Sequence, residues 1–172
     1  ATGAVGAAVG VLFGAIDVTS VAFAQEVGRE ALGGAIVGVI SLGSFIGGLA
    51  YGARHWKASI PTRLVATSIS LAVGMGIVAL MPNLLTFAIA GTIAGLAIGP
   101  SLTSQNSVVQ RIVPQAQLTE GFAWIGIGMG AGVALGGWLA GRFIDQVGHS
   151  GGQAVIGSAA IAIVAVVLVA VR

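Results

Sequence analysis

The sequence predicts an all-α membrane protein, a six-transmembrane-helix bundle built of two inverted three-helix repeats. Three observations predict it. The chain is 56% hydrophobic and only 7% charged over 172 residues, where a soluble domain devotes roughly a quarter of its residues to Asp, Glu, Lys and Arg. Six charge-poor windows are each long enough to cross roughly 30 Å of hydrocarbon at 1.5 Å per residue. A glycine pattern in the first three windows recurs in the last three.

The windows run over residues 3–25, 32–53, 64–81, 84–106, 121–141 and 151–171, within a single domain over 1–172. Asp17 is the one charged residue inside any of them. Their apolar runs are continuous, as in Leu71 to Met81 and Ile156 to Val171, and do not alternate every second residue as barrel strands do. The short connections favour antiparallel neighbours in sequence. The opening residues, Ala1 to Val11, lack the basic stretch of a secretory leader. They read as the start of a span that residues of a longer gene product would precede.

Basic residues mark the cytoplasmic side of a membrane protein. Arg54, His55, Lys57 and Arg63 fall in or beside the second connection, Arg111 in the fourth, and Arg172 at the end. The opposite side holds Arg29 with Glu26 and Glu30, the Pro82-Asn83 turn, and Arg142 with Asp145. The expected location is therefore the cell (inner) membrane, multi-pass, with both termini cytoplasmic. Although the pI is near 10, the seven basic residues form no patch, which excludes a nucleic-acid partner. With no cysteine there is neither a disulfide nor a thiolate metal site. No motif calls for a metal or another cofactor.

The repeat pairs Gly6, Gly10 and Gly14 with Gly91, Gly95 and Gly99, and Gly43, Gly47, Gly48 and Gly52 with Gly132, Gly136, Gly137 and Gly141. Three spans per unit require the second unit to be inverted. Small residues four apart allow helix backbones to approach closely. The stripes Gly6-Gly10-Gly14, Gly91-Gly95-Gly99 and Gly128-Gly132-Gly136 therefore belong at helix contacts, either as static packing or as smooth faces that slide during gating.

A carboxylate deep in a span costs several kcal/mol unless it is paired, hydrated or protonated. Asp17 is read either as a proton-coupling or substrate-pathway group, or as a structural carboxyl bonded to Ser20 or to backbone. It is expected on the helix face of Gly10, Gly14 and Ser20. The fourth window ends in Ser101, Thr103, Ser104, Gln105 and Asn106, too polar for lipid, so these are expected along an interior path or its cytoplasmic mouth. Pro100 should kink that helix and release a carbonyl. Arg54, Arg111 and Glu120 are candidates for a cytoplasmic gate, with Arg111 and Glu120 as a surface pair.

The run Gly43-Ser-Phe-Ile-Gly-Gly-Leu-Ala-Tyr-Gly-Ala-Arg54, with Ala94-Gly-Leu-Ala-Ile-Gly-Pro-Ser101 and Gly128-Met-Gly-Ala-Gly-Val-Ala-Leu-Gly-Gly-Trp-Leu-Ala-Gly-Arg142, resembles the major facilitator superfamily. The likeness is to the carboxy-terminal six-helix half of an efflux-type bacterial carrier, and Gly10 to Ala24 is similar to such a half's first helix. Tyr51 stands where the family's loop motif has Asp, as in the degenerate second copy of that motif. The resemblance implies alternating-access transport of a small molecule, coupled to protons as an antiporter, with a second six-helix half as partner. It also implies that Asp17 and the Gly95 to Asn106 stretch line a central cavity. A channel or non-catalytic scaffold is the alternative. An intramembrane hydrolase is remote, because His55 and His149 both lie in connections and no Gly-x-Ser-Gly lies in a span.

Overall fold

The apolar windows fold as helices because lipid offers no hydrogen bonds and every backbone amide must be paired within its own segment. The computed structural model describes residues 2–170. Along the chain come α1 (Thr2–Glu26), α2 (Ala31–Gly52), α3 (Ile60–Val78), α4 (Leu84–Gly95), α5 (Ile98–Ile112), a single 3₁₀ turn at Gln115–Gln117, α6 (Leu118–Val147) and α7 (His149–Ala170). Among the described residues six helical stretches are long and apolar enough to cross a bilayer, α4 and α5 together making one of them. The molecule is thus an all-α, multi-pass membrane bundle.

Local chemistry sets the boundaries. Past α1, Gly28 takes φ +70°, while Arg29 N–H bonds Ala24 O and Gly28 N–H bonds Gln25 O, the Schellman pattern that a left-handed residue closes. Ser59 caps α3 by accepting from Thr62 N–H, with Pro61 in the first turn, so this helix starts at Ile60, one turn before the expected window. Asn83 Oδ1 caps α4 through Thr86 N–H. α6 runs to Val147, beyond the expected 141, carrying Arg142 and Asp145 on its last turns.

The fourth span is broken at Leu96–Ala97. Pro100 has no N–H to return to the carbonyl four residues back, which is Leu96 O. Leu96 and Ala97 N–H bond the carbonyls of Ile93 and Ala94, three residues back. The expected kink is therefore a short interruption one turn before the proline.

α1 packs chiefly on α6 and α7, α2 on α4 and α5, and α3 on α7, α4 and α5. The core runs through Val9, Leu12 and Phe23 of α1, Leu71 and Met75 of α3, Phe87 of α4 and Ile156 and Ile163 of α7. α2 and α6 stand at the margins. Leu42, Phe45, Ile46 and Leu49 on α2, and Trp124, Ile127, Leu135 and Trp138 on α6, are each at least half exposed, as expected of surfaces covered by lipid or another membrane helix.

Two close seams join the bundle. A Cβ added to Gly10, Gly14, Gly132 or Gly136 would run into the carbonyl oxygen of Met129, Val133, Ala7 or Val11, so α1 and α6 touch backbone to backbone. Between α2 and α4–α5, a Cβ on Gly95, Gly99, Gly43 or Gly47 would meet the carbonyl oxygen of Ile40, Ser44, Thr92 or Leu96. These two sets correspond residue for residue. Each α1 position has its counterpart 85 positions on, as Gly10 to Gly95 and Ala7 to Thr92; each α6 position has its counterpart 89 positions back, as Met129 to Ile40 and Gly136 to Gly47. In both seams the contacts advance together along the two helices, so the partners run parallel. Gly128 departs from its stripe, its added Cβ meeting only Gly3 O at 3.6 Å.

Candidate functional site

Asp17 lies nine residues from the end of α1, about 14 Å along the axis at 1.5 Å per residue. Its side chain is exposed, and no ion pair involves it among the described residues. It opens into a cleft of about 390 Å³ between α1, α2, α5 and α6. Phe13, Leu102 and Val133 make apolar walls, and α2 contributes Ser41 and Ser44. A volume of this size suits a small molecule, and the lining is largely apolar with a few polar groups, as in ligand sites generally.

The structure separates the other candidates from that cleft. Ser20 is fully buried and donates to Ile16 O at 2.6 Å, so it does not hold Asp17. Gly10 and Gly14 face α6. A step of three residues leaves a helix about 60° short of a full turn, and that offset puts Asp17 on the flank of the glycine face. Ser101, Ser104 and Gln105 turn into the protein and are buried, whereas Thr103 and Asn106 are exposed on the other side of α5. The expected polar path of Asp17, Ser20, Ser101, Gln105 and Asn106 is thus not one surface. Sequence reading missed Ser41 and Ser44; their three-residue spacing on an apolar helix was the available signal.

Gln105 carries a second feature. Its Nε2 reaches Ser101 Oγ only at 3.5 Å, and its buried Oε1 has no partner among the described residues. A Cβ on Gly6 would lie 3.6 Å from that oxygen, so α1 gives the amide room. Ser68 Oγ on α3 is likewise buried without a partner.

The two ends of the bundle are fastened differently. At the end with the α2–α3 connection, Arg63 Nε donates to Tyr51 Oη at 2.6 Å, and the phenol bonds Ser104 Oγ at 2.8 Å. Trp56 Nε1 donates to Tyr51 O at 2.9 Å, and the Arg54 and Arg63 guanidinium groups lie over the Trp56 ring at 4.9 and 5.7 Å. This hub ties α2, α3 and α5 together. Arg54 belongs to it through Trp56, but Arg111 and Glu120 are both exposed and no ion pair joins them among the described residues. Residues 112–117 part these two exposed side chains with an extended step and a 3₁₀ turn.

At the other end, Glu26 accepts from the first amide of α7, His149 N, at 2.6 Å, and its second oxygen lies 2.6 Å from His149 Nδ1. The imidazole stacks on Phe23 with centroids 3.8 Å apart. Gly148 is required here: its φ is +72°, and a Cβ would come within 3.0 Å of the Glu26 carboxylate. Gln153 Nε2 adds a bond to Met81 O at 2.7 Å, fixing α7 to the α3–α4 turn.

No family model, curated protein or solved structure matches the chain.

Proposed function

We propose that the chain is one six-helix half of a secondary carrier of the major facilitator type, moving a small molecule by alternating access with protons coupled through Asp17. The carrying observation is the Asp17 carboxylate, placed well inside the span yet turned toward an open, largely apolar cleft with no cationic partner among the described residues. A carboxylate facing lipid at this depth is costly. The cost is avoided if a second six-helix unit covers the cleft and encloses water and substrate.

The correspondence of the α1–α6 and α2–α4–α5 seams supports an inverted three-helix repeat, the plan on which alternating access by rocking rests. The interruption at Leu96–Ala97 gives the fourth span the discontinuity that transporter sites use. Proton-driven efflux follows from the family resemblance together with the lone carboxyl. The basic residues Arg54, Lys57 and Arg63 support an orientation with both termini on the cytoplasmic side; Arg172 lies outside the described residues. We read the protein as a carrier rather than an enzyme, since His55 lies in the α2–α3 connection and His149 at the start of α7, neither of them lining the Asp17 cleft.

Transport in proteoliposomes holding the complete carrier tests this reading. Asp17→Asn is expected to abolish proton-driven movement while leaving substrate exchange intact. Undiminished proton-coupled transport removes Asp17 from the mechanism, and passive, non-saturating flux favours a channel.

A further inference from the structure

A second cavity lies on the opposite flank of the α2–α4 seam from Asp17. On α2 the seam itself is formed by Ile36, Ile40, Gly43 and Gly47. The Asp17 cleft takes Val37, Ser41 and Ser44 from one side of that line, and the second cavity takes Leu32, Ala35 and Val39 from the other. Helical periodicity puts those two sets on different faces. The second cavity therefore belongs to the outer wall of the bundle and owes nothing to the carrier reading above.

Its volume is about 480 Å³, formed where α2 and α4 diverge toward the Arg29 end. The walls are aliphatic, with Leu32, Val39 and Leu85 exposed along it. Polar groups occur only at the mouth, where Arg29 and the α4 cap Asn83 stand. Glu26 is engaged by His149, and Glu30 is the other carboxylate in this segment. No ion pair involves Arg29 among the described residues.

From Arg29, two residues before α2, to Val39 the groove spans ten residues, about 15 Å at a helical rise of 1.5 Å per residue. That is half of the roughly 30 Å hydrocarbon thickness, the depth of one leaflet. A cation at the headgroup level above an apolar slot one leaflet deep is complementary to an amphiphile whose anion sits at the interface and whose tail runs along the helix. Guanidinium recognises phosphate through paired N–H donors.

We propose that this groove holds one phospholipid, its phosphate on Arg29 and one acyl chain along Leu32, Val39 and Leu85. The lipid would then fill the wedge between α2 and α4 that side chains leave open. It would be retained by the protein rather than exchanging freely with the surrounding bilayer.

Native mass spectrometry of the full chain released from detergent, with dioleoylphosphatidylglycerol as the added lipid, tests the assignment. The wild type is expected to keep one lipid per chain. Arg29→Gln, which leaves the Schellman turn's backbone bonds in place, should lower retention about tenfold, the scale of a lost charge-assisted contact. Ala35→Trp, filling the exposed groove wall, should abolish it, and Val73→Trp on the exposed face of α3 should leave it unchanged. Dioleoylglycerol, which has the chains but no phosphate, should not be retained. Wild-type retention by Arg29→Gln, or equal retention of dioleoylglycerol, overturns the phosphate contact; wild-type retention by Ala35→Trp overturns the acyl groove.

Discussion

Replacing Gly14 by alanine examines the backbone seam between α1 and α6. The added methyl would overlap Val133 O and sit 2.7 Å from Gly137 N and 2.9 Å from Val133 C. Carbon contacts settle at about 3.5–4.0 Å, so the two helices must part by about 1 Å near this point, and a gap of that width forfeits a quarter to a half of each dispersion contact it opens. Close Cα–H···O approaches, worth about 0.5–1 kcal/mol each, are lost with it. Overpacking of this kind costs about 1–3 kcal/mol. The equivalent change in the other seam, Gly99→Ala, places a Cβ 2.8 Å from Gly48 N and should cost a similar amount. Gly38→Ala has nothing within 4 Å and supplies the control. Unfolding of the purified protein in mixed micelles, followed by far-UV circular dichroism, reads all three. The reasoning is refuted if Gly14→Ala unfolds at the same midpoint as Gly38→Ala.

Other consequences follow from the two bundle ends. Tyr51→Phe removes the hydroxyl joining Arg63 and Ser104 and leaves a buried serine short of a partner; a loss of about 1–3 kcal/mol is expected in the same unfolding measurement. His149→Ala acts on a pair whose side chains are 29% and 39% exposed, so its effect should stay below about 1 kcal/mol. Gly148→Ala should cost more than His149→Ala, about 1–2 kcal/mol, because an L-residue at φ +72° is strained and its methyl crowds Glu26.

Much of the architecture was legible because lipid imposes simple rules: a span needs a long apolar run, and a close helix contact needs small residues at a spacing of four. Gly10, Gly14, Gly132 and Gly136 obey the second rule and do meet. Pro100 announced a kink in the fourth span; the break itself lies one turn earlier, at Leu96–Ala97, because the missing N–H affects the carbonyl four residues back. Side-chain direction was harder to read. Asp17 and Ser20 are three apart, near enough in sequence to be paired, yet Ser20 is drawn to its own helix's Ile16 O while Asp17 turns outward. Asn106 adjoins Gln105, but a 100° step carries it off the buried face of α5 to an exposed one.

Contacts between distant segments were not legible. Glu26 and His149 lie 123 residues apart, and Tyr51 and Ser104 lie 53 apart. Neither pair has a spacing rule to announce it, because tertiary packing alone brings the helix ends together. Arg111 and Glu120 show the converse: nearness along the chain suggested a pair, but both side chains remain exposed and unjoined.

Because these 172 residues contain no cysteine, a cysteine introduced into them is their single thiol, and such variants, read against the unsubstituted protein, can report whether the Asp17 cleft is wet in the membrane. Asp17→Cys and Ser41→Cys in native vesicles should react with a small, charged, water-soluble thiol reagent. Ile161→Cys, at a site 73% exposed on the outer, apolar surface of α7, should not. A cleft cysteine as unreactive as the one at position 161 would mean that the Asp17 face meets lipid or tightly packed protein, which contradicts a solvated transport cavity.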